Sequence, residues 1–126
     1  MSLEIKYKVC IIDDDPLILE MYTRALEQGG YTVLTAGDGE AGLALIKKEK
    51  PDLALVDINM PKKNGVELVK DIYADKDISQ TRIIILTNQD DWETIQEIGK
   101  YNTKFYIVKA MTTPLKVVSM VKEVLS

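Results

Sequence analysis

Apolar and polar positions along this chain fall into blocks whose period switches between two and roughly 3.6, the alternation of strands and helices. Residues 7–12 read as a first strand running straight into Asp13, Asp14 and Asp15. Pro16 then opens a helix with apolar positions at Leu17, Met21, Ala25 and Leu26, closed by Gly29 and Gly30. Residues 31–36 alternate as a second strand, and 40–48 form a short helix ahead of Pro51. Leu53 to Val56 is an unbroken apolar run, the mark of a strand buried on both faces, and it ends on Asp57. Pro61 cannot donate to a ladder, so the chain leaves the sheet just after Asp57. A third helix is expected from Gly65 to about residue 73, a polar connection over 74–81, and a fourth strand over 82–87. A helix over about 91–100, a strand over 104–108 and an amphipathic helix over 114–125, with Val117, Val118, Val121 and Leu125 on one face, complete the chain. Repeated βα units of this kind imply a doubly wound parallel sheet with helices on both faces.

The polar residues that follow the strands are the informative ones. Asp13 and Asp14, Asp57, Thr87 and Lys109 each follow an apolar run at the same end. In a parallel sheet those ends converge on the edge where open α/β folds bind ligands. Three acids, a hydroxyl and an ammonium in one crevice suit a small, highly charged ligand. Asp15 before Pro16 has a local explanation as a helix N-cap. Asp13 and Asp14 have none, and their mutual repulsion is best offset by a divalent cation of the oxygen-seeking kind, Mg2+ above all.

Composition narrows the field. At 126 residues the chain is expected to be one domain, able to bury roughly two-thirds of its unfolded surface without disulfides or metal. The single cysteine, Cys10, sits in an apolar run, which fits a reducing compartment. No apolar run approaches the roughly 20 residues of a membrane span, and residues 1–6 lack the layout of a signal peptide. A cytoplasmic protein without membrane contact is the expectation. The net charge of -4 argues against direct nucleic-acid binding. Asp13, Asp14, Asp15 and Asp57 match that charge, so the acidity is local. Histidine is absent, which removes His-based triads, His metal sites and any phosphohistidine within the chain.

Three rival motifs compete with this reading. Gly37-Asp-Gly-Glu-Ala-Gly42 is a literal G-x-G-x-x-G between a strand and a helix, with Asp57 about 20 residues on. Asp38 and Glu40, however, put carboxylates where a pyrophosphate would sit, and the loop follows the second strand. A tight turn and a helix start explain these glycines better than a dinucleotide site. A small phosphatase with Asp13 as nucleophile and Asp15 as acid–base partner is the stronger alternative. A calcium loop beginning at Asp75-Lys-Asp77 fails because Gln80 stands where the turn glycine is needed.

The assembled residues closely resemble the receiver domain of two-component response regulators over the whole chain, 1–126. Ile-Ile-Asp13-Asp14-Asp15-Pro resembles that family's acidic pocket, Val-Asp57-Ile-Asn-Met-Pro its phosphoacceptor segment, Ile-Leu-Thr87 its switch hydroxyl, and Tyr106-Ile-Val-Lys109 its switch aromatic and lysine. The resemblance implies a CheY-like, flavodoxin-like fold with strand order 2-1-3-4-5. It also implies a phosphorelay function, in which Asp57 accepts a phosphoryl group from a sensor histidine kinase or phosphotransfer protein. By the same resemblance, Asp14, Asp57 and the Asn59 backbone carbonyl bind Mg2+ directly and Asp13 acts through water. Lys109 pairs with the phosphoryl group, Thr87 hydrogen-bonds it, and Tyr106 turns inward, altering the helix 4, strand 5, helix 5 face for an output partner. This chain departs from the family at Asn88, where a small residue is usual and a larger side chain crowds the path of hydrolytic water. It departs again at Asn102-Thr103 in place of Gly-Ala, and at Ala110-Met111 in place of Pro-Phe. A non-proline residue after Lys109 predicts a trans bond, because cis costs about 2.5 to 4 kcal/mol there.

Overall fold

In the computed structural model, which describes residues 6–60, 62–88, 92–101 and 103–125, the expected alternation is realised in full. The elements are β1 (Lys8–Ile12), α1 (Pro16–Gln28), β2 (Thr32–Ala36), α2 (Gly39–Glu49), β3 (Leu53–Asp57), α3 (Gly65–Ala74), β4 (Arg82–Thr87), α4 (Trp92–Ile98), β5 (Thr103–Val108) and α5 (Pro114–Leu125). The strands form one parallel sheet in the order β2-β1-β3-β4-β5. Pro61, the expected helix start at Asp91, and Asn102 lie outside the described residues.

Strand alternation divides the core into two layers. Val9 and Ile11 of β1, Leu53 and Leu55 of β3, and Ile84 and Leu86 of β4 pack with Tyr22 and Leu26 of α1 and Val117, Val118 and Val121 of α5. The intervening residues Cys10, Ile12, Ala54, Val56, Ile83 and Ile85 join Ile46 of α2, Leu68, Val69 and Ile72 of α3 and Ile98 of α4. β3 is buried along its whole length, as its uninterrupted apolar run requires when both faces are covered.

The helix starts follow capping chemistry. Asp15 caps α1, its side chain accepting the Leu17 N–H at 2.9 Å, with Pro16 in the first turn. Asp38 caps α2 by accepting the Ala41 N–H at 2.8 Å. α3 begins with a reciprocal capping box between Asn64 and Glu67. These side chains explain why each helix begins where it does, one short loop after the sheet edge. None of the described helices is long and apolar enough to cross a membrane.

Candidate functional site

The carboxyl ends of β1, β3, β4 and β5 bring together the residues that the sequence singled out. Asp57 is the last residue of β3 and Asp13 follows β1 directly; both are fully buried. Each gives one carboxylate oxygen to a backbone N–H two residues on. Asp13 Oδ1 accepts from Asp15 at 2.9 Å, and Asp57 Oδ1 accepts from Asn59 at 3.1 Å. This local turn holds both carboxylates in a fixed direction. Their second oxygens face the Lys109 ammonium, which lies 2.6 Å from Asp13 Oδ2 and 3.3 Å from Asp57 Oδ2. The ammonium donates to Asp13 Oδ2 at close range and reaches Asp57 Oδ2 more loosely, so two buried carboxylates compete for one base.

Asp14 stands beside this pair but is exposed, and Asp13, Asp14 and Asp57 each offer an oxygen within 4.8 Å of the others. Asn59 is also exposed and lines an open hollow of about 480 Å³ together with Asp14, Met60, Asn64 and Thr94. An all-oxygen donor set in which two buried carboxylates share one ammonium beside a third carboxylate, Asp14, fits a hard divalent cation such as Mg2+.

The electrostatics follow from two acids sharing one base. Burial, then the neighbouring Asp13 charge, pushes the Asp57 carboxyl up to about 6, against the opposing pull of Lys109 and the Asn59 N–H. Burial lowers the proton affinity of Lys109, but its contact with Asp13 and the charges of both acids outweigh this and raise its pKa. The buried trio therefore has a net negative charge when both acids are ionised.

Thr87 ends β4, fully buried, and pairs in register with Val108 just before Lys109. Asn88 follows it on the surface. The Lys109–Ala110 bond is trans, as expected for a non-proline residue, and Lys109 opens a single 3-10 turn, Lys109–Met111. Tyr106 lies away from the crevice, 39% exposed, with its ring edge-on to Trp92 at 6.1 Å. Trp92, Met60, Asn64 and Thr94 were not singled out in the sequence. Trp92 carried a signal, as the only tryptophan in the chain and an early residue of the expected fourth helix.

The glycine motif over 37–42 is occupied by the protein itself. Asp38 is committed to its cap, a side chain on Gly39 would overlap the Lys63 carbonyl, and one on Gly42 would meet Ile12 methyl and methylene groups at 2.8 to 3.1 Å. Close packing of chain against chain, rather than approach of a pyrophosphate, accounts for Gly39 and Gly42.

The model of the response regulator receiver domain matches residues 9–122. Among curated proteins, the chain is 35% identical over 106 residues to the probable C4-dicarboxylate response regulator DctR of Bacillus subtilis, covering 82% of this chain and 46% of that protein. It is 36% identical over 106 residues to the transcriptional regulatory protein HptR of Staphylococcus aureus strain N315, covering 82% of this chain and 40% of the relative. The chain thus spans less than half the length of these relatives. Among solved structures, chemotaxis protein CheY4 of Vibrio cholerae superposes with a TM-score of 0.87 at 31% identity, covering 95% of this chain and 99% of that one. A CheY-like receiver domain protein from Methanospirillum hungatei JF-1 gives 0.88 at 30% identity, covering 96% and 94%. Fold, family match and relatives agree: this chain belongs to the response regulator receiver domain family, signalling modules with a CheY-like flavodoxin fold.

Proposed function

We propose that this domain is the phosphoacceptor of a two-component phosphorelay, receiving a phosphoryl group on Asp57 from the phosphohistidine of a sensor histidine kinase or phosphotransfer protein. The observation that carries the reading is the pairing of two fully buried carboxylates, Asp57 and Asp13, on a single ammonium, Lys109, at the sheet edge. The chain has no histidine, so the donor is a separate protein or domain.

Phosphoryl transfer is chiefly positioning and neutralisation of oxygen charge. Asp57 Oδ2 is the oxygen left outside the backbone turn and serves as nucleophile. Asp14, Asp57 and the Asn59 carbonyl would hold Mg2+, with Asp13 acting through water, and the ion would supply charge that favours ionised Asp57 and neutralises phosphoryl oxygens. Lys109 is already shared between two acids and transfers its contact to the phosphoryl group as that group arrives. The Thr87 hydroxyl donates a hydrogen bond to a phosphoryl oxygen, and Asn88 shields the bond from water. Movement of Thr87 draws Tyr106 away from Trp92 and changes the α4-β5-α5 face, where an output domain or partner protein binds. The whole chain acts as one receiver unit in the cytoplasm. Its enzymatic contribution is limited to self-phosphorylation and self-dephosphorylation.

A phosphatase reading requires Asp15 as acid–base partner, and the N-cap bond that ties its Oδ1 to the Leu17 N–H counts against that role. The test is incubation with acetyl phosphate and Mg2+, followed by mass-spectrometric mapping. A single aspartyl phosphate on Asp57, absent from Asp57→Asn and from protein in excess chelator, is the expected result. Modification of Asp13 would instead favour the phosphatase.

A further inference from the structure

The β3–α3 loop brings Asn59 to the site, and both of its ends are tied down. At its start, Asp57 Oδ1 accepts the Asn59 N–H at 3.1 Å and the Ile58 N–H reaches the Leu86 carbonyl at 3.0 Å. At its end, Gly65 donates back to the Ile58 carbonyl at 2.9 Å and Asn64 is locked in its capping box. Between them, Lys62 adopts φ 64, a left-handed conformation that side-chain-bearing residues rarely take. Something outside the loop must hold that shape.

The neighbour that meets it is the first turn of α2. Gly39 is buried, and a Cβ there would overlap the Lys63 carbonyl, lying also 2.5 Å from the carbonyl carbon and 2.7 Å from the Lys63 Cβ. Lys62 Nζ lies 3.8 Å from Asp38 Oδ2, and Lys63 is ion-paired to Asp71 of α3. Gly39 does not lie at positive φ, so space rather than backbone freedom is what glycine supplies. Gly37, two residues earlier, has nothing within 4 Å of its would-be Cβ. Gly42 meets only the side chain of Ile12, so within this segment the demand at position 39 alone is directed at loop backbone, which cannot rotate away as a side chain can.

We infer that Gly39, though remote from the acidic residues in sequence, is a positioning residue for the cation site: its contact with Lys63 seats the β3–α3 loop and thereby Asn59. The inference rests on the Mg2+ reading of the site given above. A methyl group at position 39 displaces the loop at its middle while both ends stay bonded, so the displacement is shared with Asn59. Outer-shell changes of this kind weaken metal sites without touching a ligand.

The test compares Gly39→Ala with Gly37→Ala on the same segment and Gly29→Ala at the far end of the sheet, where the new methyl meets Val118 Cγ1 at 3.1 Å. Mg2+ binding is measured by calorimetry on folded protein, and phosphorylation by acetyl phosphate is followed as a function of Mg2+ concentration. Gly39→Ala is expected to weaken Mg2+ binding about tenfold and to raise the Mg2+ needed for half-maximal phosphorylation by the same factor. Gly37→Ala should bind as wild type, and Gly29→Ala should melt earlier with unchanged Mg2+ affinity. Wild-type affinity in Gly39→Ala, or equal weakening in Gly29→Ala, overturns the inference. Lys62→Ala, which keeps a side-chain carbon at the strained position but removes the loop's 3.8 Å contact with Asp38 at the start of α2, covers the case of a Gly39→Ala protein that does not fold. Removing a positive charge alone strengthens cation binding, whereas a loosened loop weakens it, so affinity that is unchanged or increased also overturns the inference. A wild type that binds no Mg2+ sinks this inference together with the metal reading. Mg2+ binding without phosphorylation sinks the phosphoacceptor reading alone.

Discussion

Asp57 and Asp13 differ from ordinary buried acids in sharing one cation, and that arithmetic has a measurable pH signature. Burial and Asp13 push Asp57 up to about 6, so between its unfolded value near 4 and pH 6 the native state holds more protons than the unfolded one. Stability contributed by this group is therefore greatest at low pH and is lost as pH rises through the folded pKa. The loss is on the order of 2–3 kcal/mol in metal-free protein. Asp57→Asn removes it. In chelator, the melting temperature of Asp57→Asn should exceed that of wild type by a margin that grows from pH 4.5 to 7.5. Mg2+ should close that margin by stabilising the wild type alone, since a ligand at 100 times its dissociation constant adds about 2.7 kcal/mol. A margin independent of pH would show that Asp57 is not the strained acid. Asp13 is a less clean probe, because its contact with the Lys109 ammonium is the closer of the two, 2.6 Å against 3.3 Å.

At the scale of elements, the strands and most helix limits were legible because each apolar run is bounded by a residue with one job. Asp15-Pro16 caps α1, and Arg82 to Thr87 and Pro114 to Leu125 begin and end where their patterns do. The strand ends made the site legible too, since parallel pairing forces Asp13, Asp57, Thr87 and Lys109 to one edge. The ligand geometry was not legible. Nothing in the run Asp13-Asp14-Asp15 says that the first is buried, the second exposed and the third a cap, because that depends on how the chain turns off β1. The role of Gly39 was equally hidden, being set by a loop more than 20 residues later. A register shift in β5 between the partners of Ile83 and Ile84 leaves Lys104, Phe105 and Tyr106 all exposed, where simple alternation would bury the middle one. The end of α2 carries a testable strain. Lys50, exposed, caps it in a left-handed conformation at φ 46, with its N–H on the Ile46 carbonyl at 2.8 Å. Glycine is the residue that adopts this shape without steric cost. Lys50→Gly should raise unfolding stability by about 1 kcal/mol in urea denaturation, and a decrease would mean that the lysine side chain contributes more than the strain removes.

For the whole molecule, the sheet order sets a gradient of stability. β3 and β1 lie inside the sheet under both layers, whereas β5 is an edge strand and α4, the shortest α-helix among the described residues, buries Ile98. Ile95 and Ile98 of α4 line a groove of about 190 Å³ with Ile85, Phe105 and Tyr106, so α4 covers a gap rather than filling it. Its links to α3 are the packing of Ile98 with Leu68, Val69 and Ile72 and a Lys70–Glu97 ion pair of 2.8 Å at the surface, while Tyr101, just beyond α4, meets Tyr73 edge-on at 5.1 Å. An exposed ion pair is screened by solvent and holds the two helices together only weakly. Sub-global opening should therefore begin at α4, the element that borders Tyr106 through Trp92 and that the proposed switch must move. Native-state hydrogen exchange is expected to show α4 amides opening several kcal/mol below the global unfolding free energy, with β1, β3 and β4 exchanging only through global unfolding. Lys70→Ala should speed exchange in α4 further and leave β3 unchanged. Amides of α4 protected as strongly as those of β3 would contradict this gradient, and would place the loosely held part of the domain somewhere other than the face proposed for output.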